Sequence, residues 1–177
     1  MLLDLRDPAA GDALVESVTD RHGRLDGLVG AAGVVAFGAL VDTDDVVLEE
    51  LVLTNLLGPL WLLKRTEPLL AASKGFVLHL SALVAEQPLA GMAAYSASKA
   101  ALTAAGTALH RELRRSGVQV IDARPPHTET GLATRPLAGA APALPTGLDP
   151  EVVAVRLVAA IEGGESSVPS EAFAPTP

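Results

Sequence analysis

Residues 76–123 read FVLHLSALVAEQPLAGMAAYSASKAALTAAGTALHRELRRSGVQVIDA, and this stretch decides the fold class. Phe76 to Leu80 and Val118 to Ala123 are short apolar runs with the length of buried β-strands. Between them, Ala93 to Ser116 is rich in alanine, carries basic residues in its last turns and stops at Gly117, which is typical of an α-helix. A strand, a helix and a second strand predict a parallel βαβ unit.

The alternation of apolar runs and helical segments continues on both sides of this unit. Further strands are predicted at residues 2–5 and 25–31, and further helices at residues 43–72 (with a break near Gly58 and Pro59) and 149–162. This order predicts an α/β protein with a Rossmann-like, doubly wound parallel sheet covered by helices on both faces. We expect one domain over residues 1–177.

Composition excludes several classes of protein. The chain has no cysteine, which rules out disulfide scaffolds and thiolate metal sites, and no histidine pair has metal-ligand spacing. A net charge of −8 and 3% aromatic residues oppose nucleic-acid binding. No apolar run reaches the roughly 20 residues that cross a bilayer, and the first residues do not form a secretory signal. We therefore expect a cytoplasmic domain with no metal, nucleic-acid or membrane partner.

Tyr95 and Lys99 are the residues most suggestive of chemistry. They lie four residues apart in AAYSASKAAL and therefore share one helix face. A phenol has an ordinary pKa of about 10, and a neighbouring ammonium group lowers it, which is what a general acid–base tyrosine needs near neutral pH. The alternative interpretation is an ordinary surface pair, which the spacing alone does not exclude.

The sequence around this pair resembles the short-chain dehydrogenase/reductase family. Tyr95 and Lys99 in YSASKAAL match the family's YxxxK pair, and the other motifs follow in the family's order. Asp4-Leu5 resembles the end of the family's third strand, and Gly30-Ala31-Ala32-Gly33 resembles the turn after its fourth strand. Asn55 in LTNLLG matches the family's catalytic-site asparagine. Pro125 to Thr130 (PPHTET) resembles the segment that touches the nicotinamide.

The resemblance implies hydride transfer between NAD or NADP and a small carbonyl or alcohol substrate. In the family's scheme Tyr95 exchanges the proton with the substrate oxygen, while Lys99 lowers the pKa of Tyr95 and binds the nicotinamide ribose. Asn55 holds a water molecule, and a serine, for which Ser81 is the candidate, binds the substrate oxygen. The implied cofactor-binding residues are Asp4, Leu5, Ala31, Ala32, Gly33, Tyr95, Lys99, Pro125, Thr128 and Thr130. The resemblance also implies a homodimer or homotetramer that associates through the two long helices.

Three segments near the expected site depart from the family pattern. The family's serine lies thirteen residues before the tyrosine, and Ala82 occupies that position. Ser81 is one residue earlier, and a shift of one residue on a strand turns the side chain to the opposite face. Either Ser81 serves through a compensating bulge, or no serine fills the role. Gly30-Ala31 replaces the family's paired asparagines, and Pro126 lacks the backbone N–H of the family's glycine.

The family's phosphate-binding turn, TGxxxGxG, does not occur in the sequence. We therefore expect an N-terminally incomplete member that lacks the first two strands and the first helix. The alternative function is non-catalytic: a binding or assembly partner of a complete homologue.

Overall fold

The fold is known from a computed structural model that describes residues 1–173. Four strands form one parallel sheet in the order β1-β2-β3-β4. They are β1 (Gly27–Gly30), β2 (Phe76–Leu80), β3 (Gln119–Ala123) and β4 (Ser167–Val168). The predicted parallel α/β sheet is confirmed, and β2 and β3 agree closely with the apolar runs that predicted them.

Within residues 1–173, five α-helices surround the sheet. They are α1 (Ala10–His22), α2 (Asp45–Val52), α3 (Gly58–Ser73), α4 (Ala93–Leu113) and α5 (Pro150–Glu162). A wide π-helical turn, Leu53–Leu57, joins α2 to α3 without an interruption, at the place where the sequence predicts a break. Short 3-10 turns occupy Leu40–Asp42, Leu83–Ala85, Arg114–Ser116, Leu132–Thr134 and Ser170–Phe173.

The two central strands carry the core, and their alternate residues face different helices. Val77 of β2 packs in a cluster with Leu63 and Leu70 of α3. Leu78, the next residue, belongs to a different cluster, which includes Val153 of α5 and Ile121 of β3. Because successive strand residues point to opposite faces, helices cover both faces of the sheet, as the doubly wound arrangement requires.

The N-terminal run is where the fold prediction is wrong. Leu2 to Leu5 forms no strand, and Leu2 is fully exposed. Asp4 pairs instead with Arg6, which also reaches Glu50 of α2. A strand needs a neighbouring strand to hydrogen-bond its backbone, and within residues 1–173 none lies beside this run. At the other end, the residues after α5 contain β4 and a 3-10 turn, and the last four residues lie outside the described part.

The expectation that no apolar segment is long enough to cross a membrane needs correction. Asp45–Ser73 is one continuous helix of 29 residues that contains an 18-residue window with a mean hydropathy of 1.6, and by length and composition alone it meets that criterion. This observation is weak evidence for a membrane span, because core helices of soluble proteins meet the same criterion. In this fold the helix packs against α1, α4 and the sheet.

Candidate active site

Tyr95 lies in the first turn of α4, inside an apolar cluster. Its neighbours include Val35, Phe37 and Leu51, and only 7% of its surface is exposed. Burial raises the pKa of Tyr95 to about 12, because a low-dielectric environment disfavours the phenolate. Among residues 1–173 no group is hydrogen-bonded to the Tyr95 hydroxyl, so this donor is available to a bound molecule.

Lys99 follows one helical turn later and is also buried. Its ammonium donates a hydrogen bond of 2.8 Å to the backbone oxygen of Leu80, at the end of β2. Burial lowers the pKa of Lys99 to about 8, although Asp122 acts in the opposite direction. Burial is the cause of the raised pKa of Tyr95, so the expectation that Lys99 lowers this pKa stays a prediction.

Asn55 connects the segment after β1 to α4. Its side-chain oxygen accepts a hydrogen bond of 2.9 Å from the Val34 backbone N–H, and its amide donates to the Val34 oxygen at 2.9 Å. The same amide donates to the Ser98 hydroxyl at 3.1 Å, and that hydroxyl donates to the Tyr95 backbone oxygen at 2.8 Å. Asn55 lies in the π turn, a feature that often occurs at functional sites.

Gly33 borders a small polar niche between Asn55 and Lys99. A Cβ atom at Gly33 would lie 3.2 Å from the Asn55 Oδ1 atom and 3.4 Å from the Lys99 Nζ atom. The ammonium has three donors, and the bond to Leu80 uses one of them. The spare donors of the Lys99 ammonium and the Asn55 oxygen have the chemistry that ribose hydroxyl groups need, so this donor set is compatible with the nicotinamide end of NAD or NADP.

Ser81 is buried on the α4 side of the sheet, and its hydroxyl is already occupied. It donates to the Asp122 carboxylate, which also accepts from Thr103 at 3.3 Å and forms an ion pair with Arg124. Ala82, the next residue, has no hydroxyl. The catalytic role of Ser81 therefore stays a prediction, and no hydrogen bond in the described part joins it to Tyr95.

The remaining predicted cofactor residues lie in loops. Ala31 and Ala32 are exposed directly after β1, and Thr130 is exposed in the loop after β3. Asp4 is half exposed, and its hydrogen bonds with Arg6 lower its pKa to about 2. Three further residues of the set are fixed by backbone contacts: Leu5 lies against Gly58, the Pro125 oxygen accepts from Leu83, and Thr128 donates to the Pro126 oxygen. The structure thus brings Gly33, Asn55, Tyr95 and Lys99 together.

Sequence reasoning missed three polar residues of this region. Ser98 orients Asn55, and Asp122 holds Ser81. The third is His79 of β2. Both of its ring nitrogens are buried without a hydrogen-bond partner among the described residues, and burial lowers its pKa to about 4. A histidine and an aspartate inside otherwise apolar strands were a usable signal, since buried polar groups need partners.

A small cavity of about 10 Å³ adjoins Tyr95. Its walls come from the segment after β1, from α2, and from the start of α4. The lining residues are Ala36, Phe37, Gly38, Leu40, Thr43, Leu51, Gly91, Met92, Ala93, Ala94 and Tyr95.

Comparison with known proteins gives a consistent set of similarities. The family model described as short chain dehydrogenase matches residues 1–138. A protein named for a ketoacyl reductase of the monensin polyketide synthase, from Streptomyces virginiae, is 31% identical over 173 residues, covering 96% of this chain and 66% of the relative. The chain spans 13% of the glycine betaine reductase of Emericella nidulans and about half of several other curated relatives.

Solved structures resemble the fold. A metagenomic short-chain oxidoreductase in complex with NADP is 36% identical, with a TM-score of 0.66 over 70% of this chain and 57% of that chain. A 3-ketoacyl-(acyl-carrier-protein) reductase from Brucella melitensis, complexed with NADH, has a TM-score of 0.84 over 95% of this chain and 74% of that one. At 19% identity, the second likeness concerns the fold alone.

Proposed function

Because the chain belongs to the short-chain dehydrogenase/reductase family, we propose that it takes part in NAD(P)-dependent oxidation and reduction of a small carbonyl or alcohol substrate. The observation that carries the proposal is the Tyr95 hydroxyl, which has no hydrogen-bond partner among residues 1–173 and lies on the same helix as the buried Lys99, one turn away. A proton donor next to a cation is the arrangement that general acid–base catalysis on a carbonyl oxygen needs.

In the proposed mechanism Tyr95 donates its proton to the substrate oxygen during reduction and takes it back during oxidation. We infer that the positive charge of Lys99 favours the phenolate once cofactor and substrate are bound. Asn55 holds Val34, and with it the border of the niche, in place against α4. The bound nicotinamide cofactor supplies or accepts the hydride.

We place the nicotinamide ribose in the niche of Gly33, Asn55 and Lys99. The choice between NAD and NADP stays open, since relatives with either cofactor share the fold. The loop residues predicted from the family motifs complete the proposed cofactor surface: Asp4, Leu5, Ala31, Ala32, Pro125, Thr128 and Thr130.

We propose Ser81 as the second hydrogen-bond donor to the substrate oxygen. In this role its hydroxyl must first break its hydrogen bond to the Asp122 carboxylate. If it does not, Tyr95 is the sole side-chain donor, because Ala82 cannot replace a hydroxyl.

The Tyr95→Phe variant tests the proposed function. Removing only the hydroxyl should reduce NAD(P)H-dependent carbonyl reduction at least a hundredfold, the usual contribution of a general acid. The matched control is Ser96→Ala, which removes the neighbouring buried hydroxyl, one that has no hydrogen-bond partner. Circular dichroism checks the fold of both variants. Substantial residual activity in Tyr95→Phe would contradict the assignment.

A second candidate function is that of a non-catalytic partner of a complete homologue. The engaged Ser81 hydroxyl favours it, because a hydroxyl that is already bonded to Asp122 is not available to a substrate oxygen. Binding of NAD(P)H to this chain, followed by nucleotide fluorescence, would count against this candidate.

We also propose self-association through α3 and α4. A groove of about 300 Å³ between these helices is lined mainly by leucines: Leu60, Leu63, Lys64, Glu67, Leu109 and Leu113. An uncovered apolar groove between two long helices supports a homodimer or homotetramer. A cytoplasmic location and the absence of nucleic-acid and membrane partners stay predictions.

A further inference from the structure

Asp122 is a buried carboxylate that the proposed mechanism does not use. It belongs to β3, and only 3% of its surface is exposed. Helix α4 approaches it closely, since a Cβ atom at Gly106 would lie 3.3 Å from the Asp122 Cβ atom. A charge inside a protein is costly unless other groups compensate it, so the partners of this carboxylate indicate its purpose.

The groups bonded to the carboxylate leave part of its charge uncompensated. One oxygen accepts hydrogen bonds from the uncharged hydroxyls of Ser81 and, at 3.3 Å, of Thr103. The other oxygen pairs with Arg124, which also pairs with Glu86. One guanidinium therefore serves two carboxylates, and this triad carries a net charge of about −1. The Glu86 side chain is 25% exposed and that of Asp122 only 4%, so water screens the charge of Asp122 less.

Lys99 is the buried cation on the same side of the sheet. It lies in α4, one turn before Thr103, whose hydroxyl reaches Asp122. Its ammonium donates to the backbone oxygen of Leu80, the residue before Ser81, which also holds Asp122. Lys99 and Asp122 thus occupy neighbouring turns of one interface between α4 and the sheet.

Among residues 1–173, Asp122 is the charged group that acts on Lys99 at neutral pH. The other titratable groups beside Lys99 are His79 of β2 and Tyr95 of α4. With pKa values of about 4 and about 12, both are uncharged at pH 7. Burial lowers the pKa of Lys99 to about 8, and the charge of Asp122 opposes this effect.

Resting on the proposed function, we propose that Asp122 is a positioning residue that keeps Lys99 charged at neutral pH, so that the cation is present when Tyr95 exchanges its proton. Asp122 acts through Lys99 and touches neither substrate nor cofactor in this role. While Ser81 donates to Asp122, its hydroxyl contributes to the same purpose by fixing the carboxylate.

The titration of Lys99 can be measured without turnover. The chain has three lysines, and the other two, Lys64 and Lys74, are exposed. Lysine labelled with ¹³C at Cε therefore gives three NMR signals, and the one that titrates lowest is expected to be Lys99. The Lys99→Met variant, which lacks this signal, checks the assignment.

The Asp122→Asn variant removes the charge and keeps the shape of the side chain, while Arg124 retains Glu86 as a partner. We expect Lys99 to titrate about one pH unit lower in this variant. Thr103→Val is the matched control, because it removes an uncharged hydrogen bond to the same carboxylate. It should leave the titration of Lys99 unchanged.

The Arg124→Gln variant is an independent test with the opposite sign. It removes the cation that shares the Asp122 carboxylate, so Lys99 should titrate at a higher pH than in the unchanged chain. Circular dichroism checks the fold of each variant, and Arg124→Gln decides if Asp122→Asn does not fold. An unchanged Lys99 titration in a folded variant of either kind would overturn the inference.

The pH profile of carbonyl reduction gives a second readout, which a merely structural role of Asp122 would not move. At pH 8 about half of the Lys99 side chains are charged, and a fall of one pH unit leaves about a tenth. In Asp122→Asn, kcat/KM should therefore fall about fivefold at pH 8 and little at pH 6. Equal losses at both pH values would overturn the inference. A shifted Lys99 titration in Asp122→Asn, with no turnover by the unchanged chain, would support the inference and refute the proposed function.

Discussion

Tyr95 and Lys99 share a helix face, but burial moves their pKa values in opposite directions. The pKa of Tyr95 rises to about 12 and that of Lys99 falls to about 8, because burial favours the neutral form of each group. At neutral pH Tyr95 is therefore protonated in the chain alone. This is the protonation state of a proton donor, which the reduction of a carbonyl requires.

His79 is the residue with the clearest consequence for stability. Its pKa of about 4 in the fold compares with about 6.5 in the unfolded chain, so the unfolded state binds more protons between these values. The free energy of unfolding should fall as the pH drops from about 6.5 to about 4, by up to about 3 kcal/mol from this group. Asp122 opposes the shift, and Lys99 adds to it.

The His79→Leu variant tests this prediction, since leucine removes the titration and fills the buried position. Urea unfolding at several pH values should show a shallower loss of stability in acid than the unchanged chain does. His22→Leu is the control, because His22 is exposed at the end of α1. An unchanged pH dependence in His79→Leu would refute the assigned pKa.

Among the helices, α5 and α2 offer a matched test of capping. Asp149 precedes α5, and its carboxylate accepts a hydrogen bond of 2.8 Å from the Glu151 N–H. Asp44 precedes α2 and makes no such bond. Asp149→Ala should lower the free energy of unfolding by about 1 kcal/mol, and Asp44→Ala should cost less. Chemical denaturation measures both, and equal losses would contradict the capping assignment.

The pair of helices α3 and α4 carries the proposed self-association. Leu60 lines their groove but belongs to none of the three core clusters, so a charge there should leave the fold intact. Leu60→Lys should lower the molar mass found by sedimentation, since a buried ammonium opposes an apolar interface. Leu89→Lys, an exposed leucine outside the groove, should not. A monomeric unchanged chain would refute the proposal.

Over the whole molecule, the sequence predicts the parts that depend on local pattern. The βαβ unit at 76–123 is recognisable because its strands are buried on both faces and its helix ends at a glycine. Spacing alone places Tyr95 and Lys99 on one helix face, whereas the addition of Asn55 to this pair is implied by the family resemblance. The contacts of Ser81 and His79 were not predictable in this way, because they depend on Asp122 of another strand. The prediction of a strand at Leu2 to Leu5 is wrong for a related reason. It assumed a neighbouring strand, and the described residues do not provide one.

The π turn at Leu53–Leu57 has a consequence for how this chain tolerates change in length. One extra residue in a helical turn rotates everything after it by about 100°. The π turn therefore gives the two halves of one uninterrupted helix different packing partners. The first half, α2, contacts α4, and the second half, α3, contacts α1 and the sheet. Deleting any one of these five residues would rotate α3 and turn Leu63 and Leu70 away from the strands. Substituting a solvent-facing residue of the turn would leave the orientation of α3 unchanged. The number of residues in this segment is thus under a stricter constraint than their identity.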